Sequence, residues 1–82
     1  MHLEILTPDH RLFEGEVNSV LLNADDGLFE LLNNHAPIIS SIQAGRARLK
    51  TEKDELFFEL KSGFVECLNN KVVILVEGGN KA

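Results

Sequence analysis

The 82-residue sequence has no Trp, no Tyr, a single Cys and two Pro. Cys67 alone cannot form an intrachain disulfide, which excludes the disulfide-stapled secreted scaffold that short chains often need and fits a reducing compartment. Positive charge is also scarce: eight Lys and Arg face thirteen Asp and Glu, a net charge of −5. Nucleic-acid binding draws on clustered cations that displace counterions, so no nucleic-acid partner is expected. The one basic cluster, Arg46, Arg48 and Lys50, has the alternate spacing of the wet face of a strand. No apolar run exceeds Val72–Val76, far short of the ~20 residues a helix needs to span a bilayer. Nor does the N-terminus read as a signal peptide, for it lacks a basic segment followed by an apolar one. Work at a membrane would therefore depend on partners, without direct insertion.

Catalytic and cofactor motifs are equally absent. There is no G-x-S-x-G elbow and no G-x-x-x-x-G-K-[ST] loop, so neither an esterase-type nucleophile nor a phosphate cradle is indicated. Ser40, His35 and Asp26 can be assembled on paper into a nucleophilic trio, but nothing local supports it. His2, His10 and His35 have no spacing that puts two of them on one strand face, and structural zinc usually takes four ligands. Asp25-Asp26-Gly27 lacks the alternating carboxylates and distal Glu of a calcium loop. No cofactor and no metal are expected. Cys67, between Glu66 and Leu68, reads as a small core hydrophobe.

What is present is a period of two. Leu56, Phe58 and Leu60 alternate with Glu55, Phe57, Glu59 and Lys61, and Ala47 and Leu49 alternate with the basic cluster. Phe58 is thus assigned to the core and Glu59 to the opposite face. Further strands are predicted over Glu16–Asn23, Gly27–Leu32, Phe64–Leu68 and Val72–Glu77. Asn69-Asn70-Lys71 suits a tight hairpin because Asn tolerates positive φ. Thr7-Pro8-Asp9-His10, Asp25-Asp26-Gly27, Ala44-Gly45, Glu52-Lys53-Asp54 and Ser62-Gly63 read as turns, with positive φ expected at Gly27 and Asp25 a solvated turn charge. Pro37–Ile42 is read as a loop or short strand. Eight to ten short strands in one domain make an all-β sandwich or barrel. The domain is expected to occupy residues 1–78, with 79–82 a short frayed tail. Asn33-Asn34-His35-Ala36-Pro37 is too polar for a core. It is either a rigid recognition loop or a connection whose Asn side chains cap backbone groups.

Four segments together resemble a known family. Gly27-Leu28-Phe29-Glu30-Leu31-Leu32-Asn33-Asn34-His35-Ala36-Pro37 is similar to the G-to-H-A-P signature of the epsilon subunit of rotary ATP synthases, called delta in the mitochondrial enzyme. Ser62-Gly63-Phe64-Val65-Glu66-Cys67 resembles its "G-G-F-x-E-V" strand, with Ser62 and Cys67 as the departures. Asn70 to Glu77 resembles its closing strand, and Leu3-Glu4-Ile5-Leu6-Thr7-Pro8 its opening one. The order is conserved across nearly the whole chain.

The resemblance implies the N-terminal domain of that subunit: a two-sheet β-sandwich of about ten short strands. It implies a non-catalytic rotor-stalk role, linking the gamma subunit to the c ring and coupling ion flow to ATP synthesis. Its expected place is the cytoplasmic face of the bacterial inner membrane, as a peripheral subunit. By position, Asp26, Gly27 and Leu28 match the loop that meets the c ring, and His35 the histidine near the gamma contact. Leu28 is apolar where some members carry an acid. The family commonly adds a C-terminal helical hairpin, which this sequence stops short of. The expectation is a chain that supports coupling without blocking hydrolysis by helix extension and without sensing ATP. Two other classes remain beside this reading: a free-standing small-ligand-binding sandwich or barrel, and a β-barrel enzyme. A ligand binder needs a deep apolar cavity of roughly 300 Å³ or more, whereas an adaptor works through its surface.

Overall fold

The computed structural model describes residues 1–82 and contains ten strands and no helix. In chain order they are β1 (His2–Leu6), β2 (Arg11–Glu16), β3 (Ser19–Ala24), β4 (Gly27–Leu32), β5 (Ile38–Ile42), β6 (Gly45–Lys50), β7 (Glu55–Leu60), β8 (Gly63–Leu68), β9 (Lys71–Val76) and β10 (Gly79–Lys81). The hydrogen-bonded order is β10-β7-β6-β3-β5-β8-β9-β1-β2, with β4 on β3. Only Ala24↔Ile42 joins β3 to β5. The ladder folds over there into two five-stranded layers, β4-β3-β6-β7-β10 and β5-β8-β9-β1-β2. Pro37–Ile42, the segment left between loop and strand, contains β5 along β8.

Alternation along each strand puts one face of each layer inside. The core holds seventeen side chains: Val20, Leu22, Leu31, Ala47, Leu49, Phe58 and Leu60 from one layer; Leu3, Ile5, Ile42, Val65, Cys67, Val72, Ile74 and Val76 from the other; and Met1 just before β1 and Val17 between β2 and β3. The expected core positions Phe58, Ala47, Leu49 and Cys67 are all there, and burial pushes the Cys67 thiol above its ordinary value of 9.0. The Arg46, Arg48 and Lys50 stripe faces out as predicted, and its two arginines are paired, Arg46 with Glu59 and Arg48 with Glu30 and Glu55. Asn69 and Asn70 take φ of 52° and 62°, the left-handed pair that matches the strand twist of a two-residue hairpin.

The expected frayed tail is corrected by the structure. Gly79–Lys81 pairs with β7 through Gly79↔Leu60, Asn80↔Glu59 and Lys81↔Phe58, and Ala82 N–H donates to Phe57 C=O at 2.9 Å. Two glycines and a polar end carry no strand signal of their own. The open edge of β7 supplies the partner groups that order them.

Candidate interaction surface

Asp25 and Asp26 form the tip between β3 and β4, which close at Ala24↔Gly27. Gly27 has φ +116°, as its sequence position predicted, and no atom lies within 4 Å of where a Cβ would stand. The cost of a side chain there is conformational alone. Gly27→Val is expected to lose ~1–3 kcal/mol in chemical denaturation, while Asp25→Asn loses less. Equal midpoints for the two variants would refute this account of the turn.

Asp25 is exposed, as the solvated turn charge read from the sequence should be, but its carboxylate is also hydrogen-bonded. It accepts a short hydrogen bond from Gln43 Nε2 and one of 2.8 Å from Ser41 Oγ. Beside them Gln43 N–H donates to Asn23 C=O at 2.7 Å, and Asn23 Nδ2 to Ala44 C=O at 3.2 Å. The tip is thus clasped to the segment leaving β5. Gln43 first, and Ser41 second, hold the Asp25 carboxyl below its ordinary value of 3.8. A carboxylate with a depressed folded pKa adds stability above its unfolded pKa and loses it as pH falls through the folded one. The stability difference between wild type and Asp25→Asn should therefore be flat near neutral pH and shrink only below pH 3.8. A carboxyl titration of Asp25 by NMR with its midpoint above that value would contradict the clasp.

The polar loop after β4 is held from three sides. Asn33 Oδ1 accepts from the Met1 ammonium at 2.6 Å, Asn34 N–H donates to Asn70 Oδ1 at 2.8 Å, and His35 N–H donates to Leu32 C=O at 3.1 Å. Asn34 has φ 62°, a conformation Asn tolerates. Of the two readings of this loop, capping is what the hydrogen bonds show: the Asn33 side chain caps the chain's own N-terminus, and the Asn70 side chain caps the Asn34 amide. His35 Nδ1 lies 2.8 Å from Ala36 C=O. A carbonyl only accepts, so Nδ1 carries a proton, and in the neutral ring Nε2 is left as an acceptor.

The structure brings the four predicted residues together. Asp26, Gly27, Leu28 and His35 all line one open groove of about 370 Å³ between β4 and β5. Asp26 sits at the end of the sandwich that carries the β3–β4 turn, and His35 on the loop at the other end of β4. Ser40 also lines the groove, but the trio with His35 and Asp26 is not wired for catalysis. Ser40 Oγ donates to Ser41 C=O at 3.0 Å and His35 Nδ1 is engaged by Ala36. An activated serine needs its hydroxyl on the histidine.

Two clusters escaped the sequence reading. Ile39, Phe64, Leu68 and Leu75 are 50–73% exposed. They stand on the outer face of the β5-β8-β9-β1-β2 layer, where Phe64 pairs with Leu75 and with Ser41, and Ile39 with Glu66. Both faces of β8 and β9 are rich in apolar residues, so alternation could not separate outer from inner. The second cluster is polar. His2 lies 3.2 Å from Glu14 and 3.3 Å from Glu16, Arg11 lies 2.7 Å from Glu14, and the His2, Glu4 and Glu14 ligand atoms fall within 4.8 Å of one another. β1–β2 pairing makes this cluster, and no local spacing announces it.

The interior between the layers is filled by the core, and the three surface depressions are all open. What the molecule offers is a turn braced by Ser41 and Gln43 and apolar side chains on an outer sheet face. The two layers and their filled core define the class: a β-sandwich domain.

Comparison with known proteins gives the particular family. The profile described as "ATP synthase, Delta/Epsilon chain, beta-sandwich domain" matches residues 1–82. The ATP synthase epsilon chain of Chlorobium limicola is 40% identical over 76 residues, which is 92% of this chain and 86% of that one. The epsilon chain of Chlorobaculum tepidum is 38% identical over the same span. The chloroplastic epsilon chain of Cyanidioschyzon merolae is 35% identical over 82 residues, 63% of its length. The chain belongs to the delta/epsilon family of ATP synthase subunits, in its β-sandwich domain. Among solved structures, a chain of the Euglena gracilis mitochondrial ATP synthase OSCP/F1/c-ring assembly superimposes with a TM-score of 0.90 at 16% identity, covering 96% of this chain and 51% of that chain. A chain of the Tetrahymena thermophila mitochondrial ATP synthase central stalk/c-ring gives 0.80 at 14%, covering 95% and 63%. These likenesses establish the shared fold.

Proposed function

We propose that this chain is a non-catalytic rotor-stalk subunit of a proton-translocating ATP synthase, holding the gamma subunit to the c ring. Family membership over all 82 residues carries the reading. The surface supports it. Asp26, Gly27 and Leu28, on a turn braced by Asp25, meet the c ring, and Leu28 is 68% exposed. His35, its Nδ1 held by Ala36 C=O, stands at the gamma contact. The exposed Ile39, Phe64, Leu68 and Leu75 give a partner an apolar face of the kind that seldom stays open on a monomer. An acidic domain with net charge −5 suits basic loops on such partners. The subunit is peripheral, at the cytoplasmic face of a bacterial inner membrane, and no helix is long and apolar enough to cross a membrane. A pull-down with the gamma subunit should show association at ~1 μM, a free energy near −8 kcal/mol. No association at that concentration would refute the reading.

A further inference from the structure

The outer face of the β1–β2 pair carries a cluster that the rotor reading does not use. Register sets His2 opposite Glu16 and Glu4 opposite Glu14. Like charges directly opposite destabilise an antiparallel pair, and a cation between them removes the penalty. Arg11 supplies part of it. Its Nη1 donates to Glu14 Oε1 at 2.7 Å, and its Nε stands 3.5 Å from Glu4 Oε2. The Met1 ammonium lies 3.7 Å from Glu16 Oε1, so three carboxylates share two cations.

The His2 ring is a separate observation. Its Nε2 lies 3.2 Å from Glu14 Oε2, and its Nδ1 lies 3.3 Å from Glu16 Oε2. A carboxylate only accepts, and a neutral imidazole has a single N–H. The ring can therefore donate to one glutamate only, and its other nitrogen turns a lone pair on a carboxylate oxygen. Two acceptors at such a distance need a positive charge between them or on the ring. With the proton on Nδ1, toward Glu16, the arrangement is that of a carboxylate–histidine–metal triad: the carboxylate fixes the tautomer and the second nitrogen is left to ligate.

We infer that His2 Nε2, Glu14 Oε2 and a carboxylate oxygen of Glu4 bind one divalent transition metal of the zinc type, with Glu16 orienting His2. The three ligand atoms lie within 4.8 Å of one another. Tetrahedral bonds of ~2.0–2.2 Å put neighbouring ligands about 3.4 Å apart, so His2 and Glu14 already fit and Glu4 closes in by ~1 Å. Glu14 keeps Oε1 on Arg11 while Oε2 ligates, so the guanidinium stays in place. The three side chains are 25–40% exposed, which leaves the fourth position to water. An imidazole nitrogen among carboxylate oxygens suits zinc and its neighbours, whereas calcium and magnesium take oxygen ligands. No pair of histidines is needed, which is why chain spacing does not announce the set. The metal clips β1 to the edge strand β2, and the inference is independent of the rotor reading.

The experiment is zinc titration of the 82-residue chain near neutral pH, followed by calorimetry and by NMR of its three histidine rings. Zinc alone should bind one to one, shift the His2 ring signals ahead of those of His10 and His35, and raise the melting temperature. His2→Gln should abolish the response, and Glu16→Gln should weaken binding by ~10-fold or more. The metal-free melting temperature of each variant shows whether it folds; should either fail to, the ring shifts of the wild type decide alone. Zinc that binds His2→Gln as tightly as wild type, or that moves His10 or His35 first, is held elsewhere and overturns the inference. So does a His2 ring that keeps both nitrogens protonated with zinc in excess, because a proton then fills the gap.

Discussion

Phe58→Ala should lose about 3–5 kcal/mol of stability, the usual range for emptying a large aromatic site in a core. Phe58 is 2% exposed and meets Phe13 edge-on, with ring centroids 6.0 Å apart and planes at 72°. It is paired on both sides, to Ala47 of β6 and Lys81 of β10, so the backbone cannot close in to fill the void. A chain of 82 residues has roughly 4–12 kcal/mol in total at ~0.05–0.15 kcal/mol per residue, so the substitution removes a large share. The melting temperature should fall by roughly 12–40 °C at ~4–8 °C per kcal/mol. Glu59→Ala, one residue along on the other face, breaks only an exposed pair with Arg46 and should cost about 0–1 kcal/mol. Urea denaturation of the two variants side by side checks the register of β7. Similar midpoints would show it wrong.

Gly63→Ala should be nearly as damaging, for the opposite reason: too little room. A Cβ at Gly63 would stand 1.9 Å from Leu75 O and 2.8 Å from Val76 Cα. Both are main-chain atoms, so no side chain can swing aside. Gly63 is held between β5, through Ile42, and β9, through Val76, and moving either strand opens a ladder in the middle of the layer. Overpacking commonly costs ~1–3 kcal/mol, and a rigid backbone clash places this case at or above the top of that range. Gly27→Val, by contrast, meets open space and pays only for its φ. A Gly63→Ala protein that unfolds at the wild-type urea concentration would mean that the strands part more easily than their pairing implies.

Much of the candidate site was legible from the residues. The Asp25-Asp26-Gly27 turn, the polar, capped character of the Asn33–Pro37 loop and the family signature across Gly27–Pro37 all follow from local chemistry. The juxtaposition of Asp26 and His35 on one groove does not. It depends on β4 and β5 lying at facing edges of the two layers, which no local pattern encodes. The Asp25 clasp has no local signal for the same reason: Ser41 and Gln43 are distant in the chain and reach it only because β3 and β5 meet at Ala24↔Ile42.

By itself, the sequence determined most of the strands and turns, the buried members of the alternating stretches in β6 and β7, and the family. These depend on backbone preference and the two-residue period, both local properties. The tertiary structure alone decided that Gly79–Lys81 is a strand, that Ile39, Phe64, Leu68 and Leu75 face outward together, and that β4 pairs only with β3. Each of these is a matter of which strand lies beside which. That choice is made by hydrogen-bonding groups and side chains far apart in the chain, and the alternation that marks a strand is the same whichever neighbour it finds.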